Sequence, residues 1–181
     1  MRHLLRTSTL LFAGALTAFS QAATVPSKWI RAWTLDLKES TIGPIWGSGL
    51  PEGVTPVSQT LKIEETSGKM KLSADTVLTG FQPVHDESRI SLDGKEMGVG
   101  NGGSVSSRKI DDSTFDVVVK VNGKDTGNHV GENRFVFSPD GRTLIETKTH
   151  TEREVVPDGA DQTKSLLIKT STSVLVFNKA L

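Results

Sequence analysis

The chain has 181 residues in which 21 Lys plus Arg balance 21 Asp plus Glu, and it contains no cysteine. That balance gives no electrostatic case for a nucleic-acid or anionic-lipid partner. The missing cysteines exclude a disulfide framework, so a hydrophobic core alone must hold the fold.

The first element is an export signal. Arg2, His3 and Arg6 form a positive flank, Leu10 to Phe19 an apolar run, and Ser20-Gln21-Ala22-Ala23 an exit of small residues. Together these predict a cleavable secretory signal peptide over residues 1–22, with cleavage after Ala22. A spanning helix needs about 20 apolar residues, more than this run supplies. Arg2 and Arg6 are not adjacent, so no twin-arginine route is indicated. Residues 23–181 then form one domain of ordinary size. Losing Arg2 and Arg6 leaves that domain with a formal charge of about −2. Its expected location is periplasmic or secreted, and no further stretch of the sequence is long and apolar enough to span a membrane as a helix.

After the signal, β-type patterning dominates. Ten strands are predicted in chain order: 33–37, 59–64, 69–73, 86–92, 95–99, 105–110, 114–121, 133–138, 143–151 and 166–177. Trp29, Ile30 and Trp33 suit either a short helical turn before the first strand or one face of it. A loop containing Pro44, Gly47, Gly49, Pro51, Gly53 and Pro56 separates the first two strands. Turn pairs at Ser67-Gly68, Asp93-Gly94, Asn122-Gly123 and Asp140-Gly141 fall between runs able to pair as antiparallel hairpins. A fifth pair, Asp158-Gly159, lies in a longer loop starting at Pro157. Such a series must bury an apolar face and dispose of its edges. Closure into an antiparallel up-and-down β-barrel of about 8–10 strands does both; a β-sandwich is the competing architecture.

Several phrases carry a family resemblance. They are Trp33-Thr34-Leu35-Asp36-Leu37, Ser58-Gln59-Thr60-Leu61-Lys62-Ile63, Leu92-Asp93-Gly94-Lys95, Lys109-Ile110-Asp111-Asp112-Ser113-Thr114-Phe115 and Phe137-Ser138-Pro139-Asp140-Gly141-Arg142-Thr143-Leu144. The pattern resembles lipocalin-like, calycin-type small exported bacterial proteins, although Arg31 stands where lipocalins carry a Gly two residues before the tryptophan. The resemblance implies a barrel of the lipocalin or fatty-acid-binding-protein kind with an interior cavity, and fold by itself assigns no function.

Within such a barrel, alternate residues face the lumen. Phe115, Val117, Val119 and Val121 form the natural interior face of their strand. Arg89, Arg108 and Arg134 lie within strands, where an inward guanidinium would grip a carboxylate through two hydrogen bonds. Trp33 would close one end of the barrel. Trp33, Arg89, Arg108 and Arg134 are therefore the candidate ligand-binding residues. Ile145, Thr147, Thr149 and Thr151 share a face, and the last strand is hydroxylated on both faces; inward Thr and Ser would suit a hydrated or amphiphile-sized cavity.

His150, Glu152 and Glu154 also share a strand face, and His85, Asp86 and Glu87 could approach them. Ligands at i, i+2 are too far apart to close on a metal unaided, so the expectation is a solvated strand edge, with no metal and no cofactor. Gly98-Val99-Gly100-Asn101-Gly102-Gly103 joins no strand to a helix and is expected to be a turn rather than a phosphate cradle. No catalytic motif is present. The sequence therefore predicts a periplasmic protein binding a small apolar or amphipathic ligand without catalysis. The alternatives are a structural or protein-interaction barrel with a filled core, and a cavity enzyme (isomerase, cyclase or hydrolase) using His85, His129 or His150 as an acid–base group.

Overall fold

A computed structural model of the chain describes residues 24–44, 46, 53–99, 102–123, 127–155 and 165–180; the side chains of 122–123, 127–128, 153–155 and 165–169 are outside that description. The predicted signal peptide and the Asp158-Gly159 turn lie outside the described residues. A 3₁₀ turn at Ser27–Trp29 leads into ten strands: β1 Arg31–Thr41, β2 Pro56–Thr66, β3 Lys69–Leu78, β4 Val84–Ile90, β5 Asp93–Val99, β6 Gly103–Lys109, β7 Thr114–Gly123, β8 Gly127–Phe137, β9 Thr143–Val155 and β10 Ser165–Lys179. Each predicted strand falls on one of these, mostly with longer ends.

All pairs are antiparallel, and the sheet order is β4-β3-β2-β1-β10-β9-β8-β7-β6-β5. This is an up-and-down meander in which β1 pairs with β10 and brings the two chain ends of the domain together. The sheet curls until β4 approaches β6, yet β4 and β5 share no ladder.

Turn chemistry accounts for the hairpins. Ser67 and Gly68 both take positive φ, 52° and 73°, the backbone that a two-residue hairpin loop requires. At the β8–β9 turn Gly141 has φ 65°. The Asp140 carboxylate there accepts from Arg142 N at 3.1 Å and Ser138 Oγ at 2.6 Å.

Two turns depart from expectation. The β7–β8 ladder runs through Asn122 and Gly123 to the Gly123–Gly127 pair, so the turn falls beyond the Asn-Gly step. Asp93-Gly94 makes no hairpin. Leu92 O accepts from Lys109 N and Ser91 O from Ser107 Oγ, which pull the chain onto β6 instead of back along β4. The barrel is consequently not seamless, contrary to the expectation of full closure.

The core is concentrated at one end. Trp29, Trp33, Phe115, Phe137, Leu144, Leu175 and Phe177 are all essentially inaccessible. Trp29 stacks on Phe137 at 5.0 Å and 8°, Phe115 stacks on Phe135 at 4.4 Å, and Trp33 tilts against Phe137 at 5.5 Å. The 3₁₀ turn acts as the plug for this end. Trp29 Nε1 donates to Asp112 O at 3.2 Å, and Lys28 Nζ donates to Ser113 Oγ at 2.9 Å, fastening it to the β6–β7 turn.

At the far end β1 bulges between Asp36 and Thr41. Ser40 Oγ accepts from Val176 N at 2.9 Å and donates to Asp36 O at 2.6 Å, holding the bulge against β10. Beyond it, Gly43 N donates to Ser173 Oγ at 2.9 Å, and Trp46 is buried. A Cβ on Gly43 would lie 2.6 Å from Thr172 O and collide with Ser171 Oγ, whereas one on Gly98 would meet open space. Gly43→Ala is therefore expected to cost about 1–3 kcal/mol by overpacking and to lower the melting temperature. Gly98→Ala is expected to leave it unchanged or slightly raised, and paired thermal melts of the two variants check this.

Candidate functional site

The lumen divides into a filled aromatic half and a polar half. Counting back from the Asp140-Gly141 turn, Phe137 pairs with Leu144, Phe135 with Glu146 and Asn133 with Lys148. Cross-strand partners share a face of the sheet, so the burial of Phe135 and Phe137 carries Glu146, Lys148 and His150 inward on β9. The alternate residues Ile145, Thr147, Thr149 and Thr151 consequently face out. Thr149 and Thr172, and Thr151 and Thr170, meet across the outer wall at 3.5 Å between hydroxyls. On β10 it is Ser171 and Ser173 that turn inward, both buried.

Two cavities open between these walls. One, of about 190 Å³, lies against Leu61, Leu72, Ile90, Val117 and Phe135 on its apolar side and Gln59, Asp86, Asn133, Glu146 and Lys148 on its polar side. The other, of about 210 Å³, is bounded by Val119, Val121, His129, Gly131 and His150. They share Val119, Asn133 and Lys148 as walls, so they are adjoining chambers of one lumen. Asp86 and Ser88 line the first chamber and are themselves solvent-exposed. The chamber therefore reaches water along the unpaired edge of β4.

The polar side has the marks of a recognition surface. Gln59 Oε1 and Asn133 Oδ1 are buried without a hydrogen-bond donor, an arrangement that costs about 1–3 kcal/mol per group unless water or a ligand supplies the donor. Lys148 Nζ lies 4.4 Å from the Trp46 ring centroid, a cation–π contact that holds the ammonium against that ring. Burial pushes the Lys148 ammonium below its usual pKa, while Glu146 and Asp86 pull it back up. Burial likewise pushes the Glu146 carboxyl up to about 6, against the smaller opposing pull of Lys148.

The residues expected to bind ligand are distributed differently. Trp33 is wholly buried in the aromatic half, its Nε1 donating to Trp29 O at 3.4 Å, and it lines neither chamber. The three arginines face away from the lumen, which corrects the expectation that one would point in. Arg134 makes a two-point pair with Asp116 on the outer wall, 2.8 and 2.9 Å, which holds the Asp116 carboxyl below its usual range. Arg108 is the cross-strand neighbour of Asp116 on that same exposed face. Arg89 lies on the exposed edge strand, 3.8 Å from Glu87.

An outer groove of about 450 Å³ runs past Asp116, Val118, Glu132, Arg134, Thr147 and Thr149. Its Arg134 and Asp116 are already satisfied by each other, so the lumen is the stronger site.

The histidines also depart from expectation. His85 is exposed and paired with Asp75 at 2.6 Å, far in register from the others. His150 is not at a solvated edge: it is 4% exposed inside the lumen, near His129 and Glu152. The Glu154 side chain lies outside the described residues. Sequence reasoning passed over Gln59, Trp46, Asn133, Glu146 and Lys148; the Asp140-Gly141 register is the signal that would have found the last three.

No protein-family model matches the sequence, and no curated protein matches it. Among solved structures, the chain is similar to a Schistosoma mansoni fatty acid binding protein in complex with arachidonic acid, at 15% identity and a TM-score of 0.50. The match covers 87% of this chain and 99% of that one. The likeness is one of fold. It shows an all-β, antiparallel, up-and-down ten-stranded curled half-barrel like that of fatty-acid-binding proteins, in agreement with the up-and-down antiparallel class read from the sequence.

The raised Glu146 carboxyl generates a pH dependence. The folded state holds this proton more tightly than the unfolded chain, whose value is 4.5. Its contribution is thus fully present below pH 4.5 and is lost as pH rises through 6. Glu146→Gln is expected to flatten the stability profile across that window and to raise stability at pH 8 by up to about 2 kcal/mol. Urea denaturation at a series of pH values measures both effects.

Proposed function

We propose that the protein is exported and holds a small amphipathic molecule in the polar half of its barrel without transforming it. The observation that carries this is the chamber that places Leu61, Leu72, Ile90 and Val117 opposite Lys148 and the unsatisfied oxygens of Gln59 and Asn133. An apolar tail lies on the first group. A polar head with an acceptor for the Lys148 ammonium and a donor for the two amide oxygens completes the second.

Each chamber is smaller than the ~300–1,000 Å³ common for ligand pockets, which favours a compact ligand or one extending through both. The arachidonic acid held by the structural relative, an acceptor carboxylate on a long apolar tail, supports the apolar and Lys148 parts of this reading, the donors to Gln59 Oε1 and Asn133 Oδ1 then coming from water. Lys148 takes the anchoring role that the sequence pattern suggested for Arg89, Arg108 and Arg134. Trp33 and Trp29 form the closed floor, and the unpaired β4–β5 edge gives access.

The test is native mass spectrometry of the protein purified from its own source, followed by titration with saturated fatty acids of graded length. A co-purifying or titrating amphiphile is expected, with Lys148→Met weakening affinity at least about tenfold, the equivalent of 1.4 kcal/mol. Absence of both co-purification and titration would overturn the binding role.

Export is supported by the basic flank, the short apolar run and the small-residue exit of residues 1–22. Expression of the full chain in a Gram-negative host is expected to yield periplasmic protein beginning at Ala23. Amino-terminal sequencing that finds Met1 retained in the cytoplasm would refute it.

A further inference from the structure

We infer that His129, His150 and Glu152 form a binding site for a zinc-class divalent transition-metal ion inside the barrel. Their donor atoms all lie within 4.8 Å of one another. His150 Nε2 is 3.2 Å and His129 Nδ1 is 3.7 Å from the same Glu152 oxygen, Oε1. Donors bound at about 2.0–2.1 Å to a tetrahedral zinc stand roughly 3.3–3.4 Å apart, so the two His–Glu152 separations are already close to those of a bound ion and the set as a whole closes by side-chain movements of at most about 1.5 Å.

The sheet sets up this convergence. Glu152 is directly across the ladder from His129, and His150 is the next inward residue on β9. Two strands thus supply what the i, i+2 spacing of one strand cannot. The two imidazole rings are stacked, 5.8 Å apart at 20°, so the histidines already lie against each other.

The surroundings leave space where an ion would sit. The residue opposite His150 is Gly131, and a Cβ built there would meet nothing closer than Val119 at 4.0 Å. The adjoining chamber of about 210 Å³ includes both histidines and Gly131 in its wall. A fourth coordination position would therefore face this chamber and be filled by water or by a donor group of a bound molecule. Two neutral imidazoles and one carboxylate suit zinc, nickel or copper(II) better than calcium or magnesium, which take all-oxygen shells. Lys148 faces the same chamber from β9 and Asn133 from β8; neither has to ligate the ion.

The site is tested with Zn²⁺ alone, in the absence of any amphiphile, so that its outcome is separate from that of ligand binding. Chelator-stripped protein dialysed against Zn²⁺ is expected to take up one equivalent with micromolar or tighter affinity. Co²⁺ is expected to give the visible bands of a four- or five-coordinate N/O site. His129→Ala and the isosteric Glu152→Gln are expected to weaken Zn²⁺ at least about 100-fold while His85→Ala retains the stoichiometry. The inference is overturned if wild-type protein binds less than one equivalent, if Co²⁺ keeps its aqua spectrum, or if His85→Ala abolishes uptake and Glu152→Gln does not.

Discussion

The register of the β8–β9 hairpin is the constraint on which the interior depends. Asp140 and Gly141 fix the turn, the turn fixes Phe137 opposite Leu144, and every later pair follows by twos. A slip of one residue would bring Ile145, Thr147, Thr149 and Thr151 inside and expel Glu146, Lys148, His150 and Glu152. Phe135 and Phe137 oppose that slip, because it would remove two buried aromatic rings from their stacks on Phe115 and Trp29. The aromatic plug therefore does more than fill space. It forces a row of ionisable groups into a lumen that they would not enter on their own.

Burial of those groups is costly, and the molecule divides its interior accordingly. Where the side chains are Trp, Phe, Leu and Met, the core is closed. Where they are Glu, Lys, His, Asn and Gln, it remains open as two adjoining chambers. A buried carboxyl whose pKa rises to about 6, and an ammonium displaced downward, are groups held in an environment not fully compensated within the protein. Such uncompensated polarity is tolerated at sites where a ligand or an ion completes the partnership. The small Gly131 and Gly43 belong to the same design: one leaves room opposite His150, the other lets the chain after β1 lie close against Ser171 and Thr172 of β10.

Much of the fold was legible because strand signals are local. Ten runs, their order and the all-β class follow from period-two patterning and turn residues, and Phe115, Val117 and Val119 face inward as their alternation requires. The site was harder to read because facing is a relation between strands. Thr147 and Thr149 look like a plausible lumen lining until the Phe135 and Phe137 pairing is imposed on β9. Arg134 is hard to place from sequence for the same reason: Val136 shares its face while Phe135 and Phe137 share the other, and only the strand register assigns Arg134 to the outer wall with Asp116. His129 and His150 are 21 positions apart, so no spacing rule unites them.

The Asp93-Gly94 step marks where local turn chemistry yielded to tertiary pairing, and its consequence is an open edge. An open edge in a β protein invites pairing with other chains, and both edges here are blunted. They are seven residues each, and β4 carries His85, Asp86, Glu87 and Arg89 while β5 carries Asp93, Lys95 and Glu96. Closure into a barrel was the expected way to dispose of these edges. The structure meets the edge problem with charge instead, and thereby keeps an opening beside Asp86 and Ser88 into the chamber. A sealed barrel would have protected the same core but left Lys148 and the unsatisfied oxygens of Gln59 and Asn133 with no route by which a partner could reach them.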